Sequence, residues 1–437
     1  MTSPTRSVST VNESSSLQPS YMIDGVAPVS VVRPSTVDHL CDEVASADRD
    51  GVATFPWGGG TQMSLGNIPQ RSGIVVDTTA LNRVVSHNSG DMTATFQAGA
   101  TMQTVTEVLG QAGQFLAIDP PLPGKATVGG TLASGASGPT RWQFGHLRDT
   151  VIGMKVVQPD GRITKSGGQV VKNVSGYDMA RLHIGGLGSL GIILEASFKL
   201  TPMPMYESTI TARFQTVDRA VQCASEIFNS VVTPLAITTY NRVVSEAIAA
   251  DERPGTYLAV RLGGRPRTLD RQLDEVSAIC ARYLAIDTDK AEGSGGSRLW
   301  RSLADFGWDP GSAPVLNIRV NALPSQVELI HSLLEGFRAS NSEAAITSQP
   351  GFGTVEANWS GDETAPDLGE LAGLVQQVRT ECAELNATAV VQKCPTDLKD
   401  LVDVWGGHPS GIGVMRRLKA QYDPNNTMNP GRFVGGL

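Results

Sequence analysis

What this chain of 437 residues has little of narrows its chemistry first. Its five cysteines, Cys41, Cys223, Cys280, Cys382 and Cys394, are scattered, odd in number and contain no CxxC pair. That set argues against a disulfide framework, and against an iron–sulfur cluster or structural zinc site made by this chain alone. It reads as idle or buried thiols in a reducing compartment. There is no excess of positive charge: 35 Lys and Arg stand against 43 Asp and Glu, a net charge of -8. A global electrostatic footprint for nucleic acid or an anionic membrane is therefore not expected. No apolar run approaches the roughly 20 residues of a membrane helix. Residues 1–20 are rich in Ser and Thr and lack the apolar stretch of a secretory signal. Residues 1–22 are expected to be a flexible lead-in, and the cytoplasm is the expected location.

What is present points to a folded, glycine-dependent protein. Hydrophobic residues make up 40% and charged residues 18%, enough for a real core. At about 150 residues per domain, the length suggests two or three domains. The 47 glycines follow no collagen-like period, so they serve turns and close backbone approaches.

From Ser30 the pattern is regular. A strand at VSVVRPST leads to helical spacing over 37–47, with Leu40, Val44 and Ala47 on one face. A buried strand over 51–55 runs into Pro56-Trp57-Gly58-Gly59-Gly60-Thr61-Gln62, and another strand covers 73–77. Residues 83–87 and 93–98 alternate like a meander. A helix over 101–110 has Thr104 and Glu107 at capping-box spacing. Segments 151–157 and 162–165 flank Asp160-Gly161 and predict a tight hairpin. Beyond Pro204, strands such as STITARF, TYLAVRL and VLNIRV alternate with amphipathic helices at 217–228, 269–284, 326–338 and 368–385. That alternation predicts an antiparallel sheet covered by helices. Residues 293–297 read as a flexible loop, and 413–422 as a final helix.

Three glycine-rich segments carry the chemical signal. In the WGGGTQ loop, backbone N–H groups of successive glycines can converge on an anion, although a plain tight loop has the same composition. Gly186-Leu187-Gly188-Ser189-Leu190-Gly191 matches GxGxxG literally, but a strand follows it and no strand precedes it. The Rossmann fingerprint requires the opposite order, which rejects a nicotinamide site there. The run TVGGTLASGASG, 127–138, has too few side chains to fill space and calls for a ring system or a second backbone packed on it. Nearby, KNVSGYD places Lys172, Asn173, Tyr177 and Asp178 within seven residues.

The order of these segments resembles the FAD-binding oxidoreductases of the vanillyl-alcohol oxidase and PCMH type. It runs WGGGTQ, TVGGTLASGASG, FGHLRDTVIGMKVVQPDG, KNVSGYDMARLHIGGLGSLGII and YDPNNTMNPGRF. Within that superfamily, KNVSGYD and NPGRF look most like the E-type FAD-binding subunit of glycolate oxidase. The resemblance covers about 28–204 and 413–433. It implies an α+β chain: a PCMH-type two-subdomain FAD-binding domain over 23–204, an antiparallel α+β cap domain over 205–409, and a C-terminal segment, 410–437, completing the FAD site. It also implies contacts. Gly58, Gly59, Gly60, Thr61 and Gln62 would hold the FAD pyrophosphate. Gly129, Gly130, Ser134 and Gly138 would lie along the flavin, followed by Gly145, Val151 and Gly153. Gly191, Ile192 and Ile193 would meet the adenine end, and Asn429 would return to the flavin. Thr61 stands where covalent members often carry histidine, so the FAD is expected to be non-covalent.

The resemblance further implies oxidation of glycolate or a similar small 2-hydroxy acid to the 2-oxo acid, which needs a cation for the carboxylate and a base for the hydroxyl proton. The candidates are Arg319, as a bidentate carboxylate clamp, His408 in a glycine-rich loop, and Lys172 and Tyr177. Arg432 is either a clamp or a salt-bridge partner, and His331 a packed or surface residue of its helix. A D-type flavin subunit and an iron–sulfur subunit are the implied partners, with membrane association only through them. A flavin-holding but non-catalytic assembly subunit, and a stand-alone flavin reductase of the same fold, remain open on this reading.

Overall fold

The computed structural model describes residues 21–169, 177–309, 314–339, 341–361 and 367–437. Lys172 lies outside them. Two structural halves follow from the alternation in the sequence. In the first, strands Ser30–Val32, Gly73–Asp77 and Ala53–Trp57 form a small parallel sheet, with Gly73–Asp77 in the centre. The helix Val37–Arg49 crosses between them and buries Leu40, Val44 and Ala47; its N-cap Thr36 accepts from the His39 N–H. A second sheet takes the order Val84–Asn88, Thr93–Gln97, Ile192–Lys199, Val151–Val157, Ile163–Gly167, antiparallel throughout. The expected hairpin is its outer pair, with Val157 opposite Ile163.

Two local expectations change. The helix Met102–Gly110 is capped by Thr101, whose side chain accepts from the Thr104 N–H, so Thr104 receives the cap and does not supply it. The small-residue run contains the helix Val128–Ser134, started by Thr127 accepting from Gly130 N–H and stopped by Gly135 at φ 70°.

The second half is an eight-stranded antiparallel sheet. Its helices Val217–Asn229, Pro266–Arg282, Val327–Glu335 and Leu368–Glu384 match the four expected amphipathic segments. Leu316, Ile318, Val320, Val355 and Trp359 from the sheet pack with Ile330, Leu334, Leu371 and Val378 from the helices in one core. The expected loop over 293–297 is instead the start of the helix Ser294–Asp305. That helix buries Trp300 and Leu303, and Trp300 Nε1 donates to Thr209 Oγ1 at 2.9 Å.

The chain then returns to the first half. Lys399 Nζ pairs with Asp24 Oδ1 at 2.6 Å and donates to the carbonyls of Ser64 and Gly66, while Leu398 and Val404 belong to the cap core. Segment 394–409 is thus shared by both halves. Within the helix Ile412–Tyr422, buried Lys419 donates to Asp423 Oδ2 and to the carbonyls of Ser189 and Met428. Asp423 also accepts from the backbone N–H groups of Thr427 and Met428, so the turn leading to Asn429 is fixed at every charged group. Among the described residues, no helix is long and apolar enough to cross a membrane.

Candidate functional site

Two adjoining clefts share Gln62 and Ser134 in their linings. The first, about 720 Å³, lies inside the glycine-rich half. Twelve of the expected cofactor residues line it: Gly58, Gly59, Gly60, Thr61, Gln62, Gly129, Gly130, Ser134, Gly191, Ile192, Ile193 and Asn429. Its wall is backbone because nothing larger fits. A Cβ on Gly59 would stand 1.7 Å from the Lys125 carbonyl oxygen, and Gly60 takes φ +72°, in the left-handed region. The GxGxxG turn contributes Leu187 and Gly188, and it sits between the helix Ala180–His183 and the strand Ile192–Lys199. That order is the reverse of a Rossmann unit. Asn429, at φ 49°, is buried and donates from Nδ2 to the Leu187 carbonyl at 2.6 Å, so it braces the turn against the C-terminal segment.

The cleft offers unmet polar groups. Gln62 Nε2 and Arg432 Nε are buried without a hydrogen-bond partner. Arg432 Nη2 donates to the carbonyls of Met63 and Leu65 at 2.6 Å, and burial pulls its pKa down to about 10. Carbonyl oxygens, and no ion pair among the described residues, hold this cation. A narrow trough with glycine backbone on one side and orphaned donors on the other fits a long, flat ligand with an anionic stretch. FAD meets that description.

The second cleft, about 690 Å³, lies between the halves. The flavin-side wall includes Pro121, Gly138 and Pro139; the cap side includes Phe306, Trp308, Arg319, Gln349, Glu356 and Gln392. Arg319 and Glu356 are directly opposite on neighbouring strands. Arg319 Nε donates to Glu356 Oε1 at 2.7 Å, and Nη2 reaches the same oxygen. With the Gln392 amide turned so that its oxygen faces the guanidinium, it accepts from Arg319 Nε and Nη1 at 3.2 Å. Arg319 is therefore in the cleft as expected, but its forked edge already faces Glu356 and Gln392, which removes the free bidentate clamp. Four lining residues carry buried polar atoms without partners: Gln62 Nε2, Thr238 Oγ1, Gln349 Oε1 and Thr354 Oγ1.

The remaining candidates scatter. Gly138 lines this second cleft, whereas Gly145, Val151 and Gly153 line neither. Tyr177 is 92% exposed, and His408 lies exposed on its loop. Neither lines either cleft. His331 is fully buried, with Nδ1 2.6 Å from Ser348 Oγ, which is a packed histidine.

Several site residues escaped sequence reasoning. Glu356, Gln349 and Gln392 sit on strands whose pairing partner decides their meaning. Arg141 lines neither cleft; its guanidinium stacks 4.5 Å from the Phe352 ring centroid, and its Nε is buried and unpartnered. Burial, then the nearby Arg319 charge, lowers its pKa to about 10. Lys393, next to Gln392, lies 4.5 Å from the Trp308 ring centroid and is pulled down to about 8 by burial. For Arg141 and Gln349 the available signal was a neighbouring proline–glycine pair, Gly138-Pro139 and Pro350-Gly351.

Known proteins agree with this division. Residues 28–167 match the FAD binding domain model, and 203–329 with 407–433 match the C-terminal domain model of FAD linked oxidases. This chain belongs to the FAD-linked oxidases. The first half is the family's FAD-binding domain, and the second its oxidase C-terminal domain. The fold is the PCMH type: the structure of p-cresol methylhydroxylase with substrate bound aligns at TM-score 0.74 and 16% identity, covering 93% of this chain and 89% of that one. The chain is 25% identical to glycolate oxidase subunit GlcD of Bacillus subtilis (strain 168), over 93% of this chain and 89% of that protein. It is 34% identical to glycolate oxidase subunit GlcE of Escherichia coli (strain K12), over 38% of this chain and 47% of that protein. The likeness thus extends to both D-type and E-type subunits, the D-type over the greater length. An FAD-linked oxidoreductase follows from family and fold together.

Proposed function

We propose that this chain is the FAD-binding subunit of a glycolate oxidase type complex and oxidises glycolate or a similar small 2-hydroxy acid to the 2-oxo acid. The observation that carries this reading is the interdomain cleft, where an Arg319–Glu356 pair stands beside four unpartnered buried polar atoms. An apolar substrate would leave those atoms unsatisfied; a hydroxy acid satisfies them. Bound FAD supplies the hydride acceptor for C2 of the acid. The hydroxyls of Thr238 and Thr354 donate to the carboxylate. Glu356, the carboxylate of the cleft lining, takes the hydroxyl proton on Oε2, with Arg319 holding Oε1. Trp308 and Phe306 exclude water from the face where the C–H bond breaks.

FAD binding is non-covalent on this reading: among the described residues, the FAD cleft lining contains no histidine, cysteine or tyrosine. The likeness to two subunits of glycolate oxidase supports a complex in which electrons would leave through an iron–sulfur partner, with a D-type flavin subunit alongside. Such a complex would work in the cytoplasm, against the membrane only through its partners. One observation favours a second reading, a flavin-holding but non-catalytic subunit: no histidine lines either cleft among the described residues. Anaerobic addition of glycolate to the purified chain separates the two. Bleaching of the flavin spectrum supports oxidation in this chain; a flavin that stays oxidised with glycolate and D-lactate alike moves catalysis elsewhere.

A further inference from the structure

The cap wall of the interdomain cleft includes a turn, Phe306-Gly307-Trp308, that follows the helix Ser294–Asp305. Its two aromatic residues line the cleft. Between them Gly307 lies pressed on the sheet, where a Cβ would stand 2.5 Å from Asn358 Oδ1. The Trp308 N–H donates to the Asp305 carbonyl at 2.9 Å, which ties the turn to the helix end. From the sheet side, Lys393 reaches two of its members. Nζ donates to the Gly307 carbonyl at 2.7 Å and stands 4.5 Å from the centroid of the Trp308 ring.

A regular strand would not aim Lys393 there. Val391 belongs to the cap core, and with a side-chain period of two Lys393 would point the same way. The strand Thr388–Lys393 is irregular instead. Lys393 pairs with Asn317 and Val391 with Ile318, so Gln392 is an extra residue between two consecutive partners. This bulge sends two neighbouring side chains to one side of the sheet, Gln392 into the cleft lining and Lys393 onto the aromatic turn. The charged groups on the helix end, turn and strands around Lys393 are Asp305, which accepts from the Leu122 N–H, Asp309, and the Arg319–Glu356 pair. Directly opposite is neutral Asn317. Burial outweighs the attraction of Asp309 and lowers the Lys393 pKa to about 8.

We infer that Lys393 is the positioning residue of the aromatic wall, its ammonium clamping the Trp308 ring and the Gly307 carbonyl so that Trp308 and Phe306 stay closed over the cleft. This rests on the 2-hydroxy acid reading, in which that wall keeps water from the breaking C–H bond. A cation on a ring face needs its charge, so the clamp is intact below about pH 8 and opens above it as the ammonium loses its proton. Arginine also sits on a ring face and keeps its charge, whereas methionine has none.

The test uses the FAD-loaded chain labelled with 5-fluorotryptophan, in which the fluorine resonance missing from Trp308→Phe is that of Trp308. At about pH 7, Lys393→Met should shift that resonance, and Lys393→Arg should leave it near wild type. As the pH rises, wild type should move toward the Lys393→Met position with a midpoint of about 8, while both variants stay flat. A resonance that ignores Lys393→Met, or that follows pH identically in wild type and Lys393→Arg, overturns the clamp; the second comparison needs no folded Lys393→Met. Flavin reduction by glycolate at about pH 7 should slow on the order of tenfold in Lys393→Met, with the half-saturating concentration within about twofold, and recover in Lys393→Arg. Equal rates in all three proteins also overturn the proposal. If glycolate reduces the flavin in none of them, the 2-hydroxy acid reading fails by itself, and the fluorine resonance still decides the clamp.

Discussion

The two clefts of this molecule are built from opposite materials. In the FAD cleft the wall is main chain, with Gly58, Gly59 and Gly60 against Gly129 and Gly130, and few charged side chains take part. In the interdomain cleft the cap wall is side chain, with Arg319, Glu356, Gln349 and Gln392 presented by neighbouring strands. A backbone wall recognises a constant ligand, because N–H groups cannot be exchanged by substitution. A side-chain wall on strands can change residue by residue while the sheet stays intact. The difference teaches that the cofactor half carries the marks of the family, while on the proposed function the cap half would set what is oxidised.

The comparison breaks most sharply at Gly59. Gly59→Ala drives a methyl into the Lys125 carbonyl, a backbone group that cannot step aside. Overpacking of this kind costs about 1–3 kcal/mol, which corresponds to about fivefold to about 150-fold weaker FAD binding if the loop shifts to relieve it. Fluorescence titration of the apo chain with FAD reads that loss directly. The cap should melt as in wild type.

On the other side, Arg319→Ala leaves Glu356 without its cation. Both groups are about one-fifth exposed. The expected cost is about 2–3 kcal/mol, below the 3–5 kcal/mol of a fully buried pair. Turnover should fall while flavin content stays near wild type. Denaturant midpoints together with flavin absorbance per chain check both statements.

A third way to test the comparison concerns acid. Burial lowers the pKa of His183, at the end of the short helix before the glycine turn, to about 4. The unfolded chain takes up that proton at the ordinary histidine pKa of about 6.5, so the contribution is complete above that value and is lost as pH falls toward 4. His183→Gln should flatten stability between pH 6.5 and 4, with the flavin released less readily in acid. Melting curves across that range, followed by flavin fluorescence, measure it.

Much of the first half could be read from the sequence because its information is local. A glycine loop after a strand, a small-residue run and a C-terminal NPGRF each carry their meaning in a few consecutive residues, and twelve of the sixteen expected cofactor contacts line one cleft. The amphipathic helices of the cap were readable for the same reason: Leu371, Leu374, Val375 and Val378 recur at helical spacing and are buried. The cap site was not readable, since Arg319 meets Glu356 only through a strand register set by the whole sheet. His408 was drawn into the candidate list by its glycine neighbours, which mark a surface turn. The glycines of 293–297 misled in the other direction. They suggested a loop, yet a Cβ on Gly296 would stand 2.9 Å from Thr209 Oγ1, so glycine is there to let a helix lie close to a strand.

The division of labour between the clefts is tested most directly by one calorimetric titration of FAD into the apo chain, wild type beside Arg319→Met/Glu356→Gln. Replacing both partners avoids a stranded charge. The account predicts the same FAD affinity for the two proteins, within about twofold, together with loss of the glycolate response in the variant. A parallel fall in FAD affinity would contradict it, because the cap pair would then belong to the cofactor site.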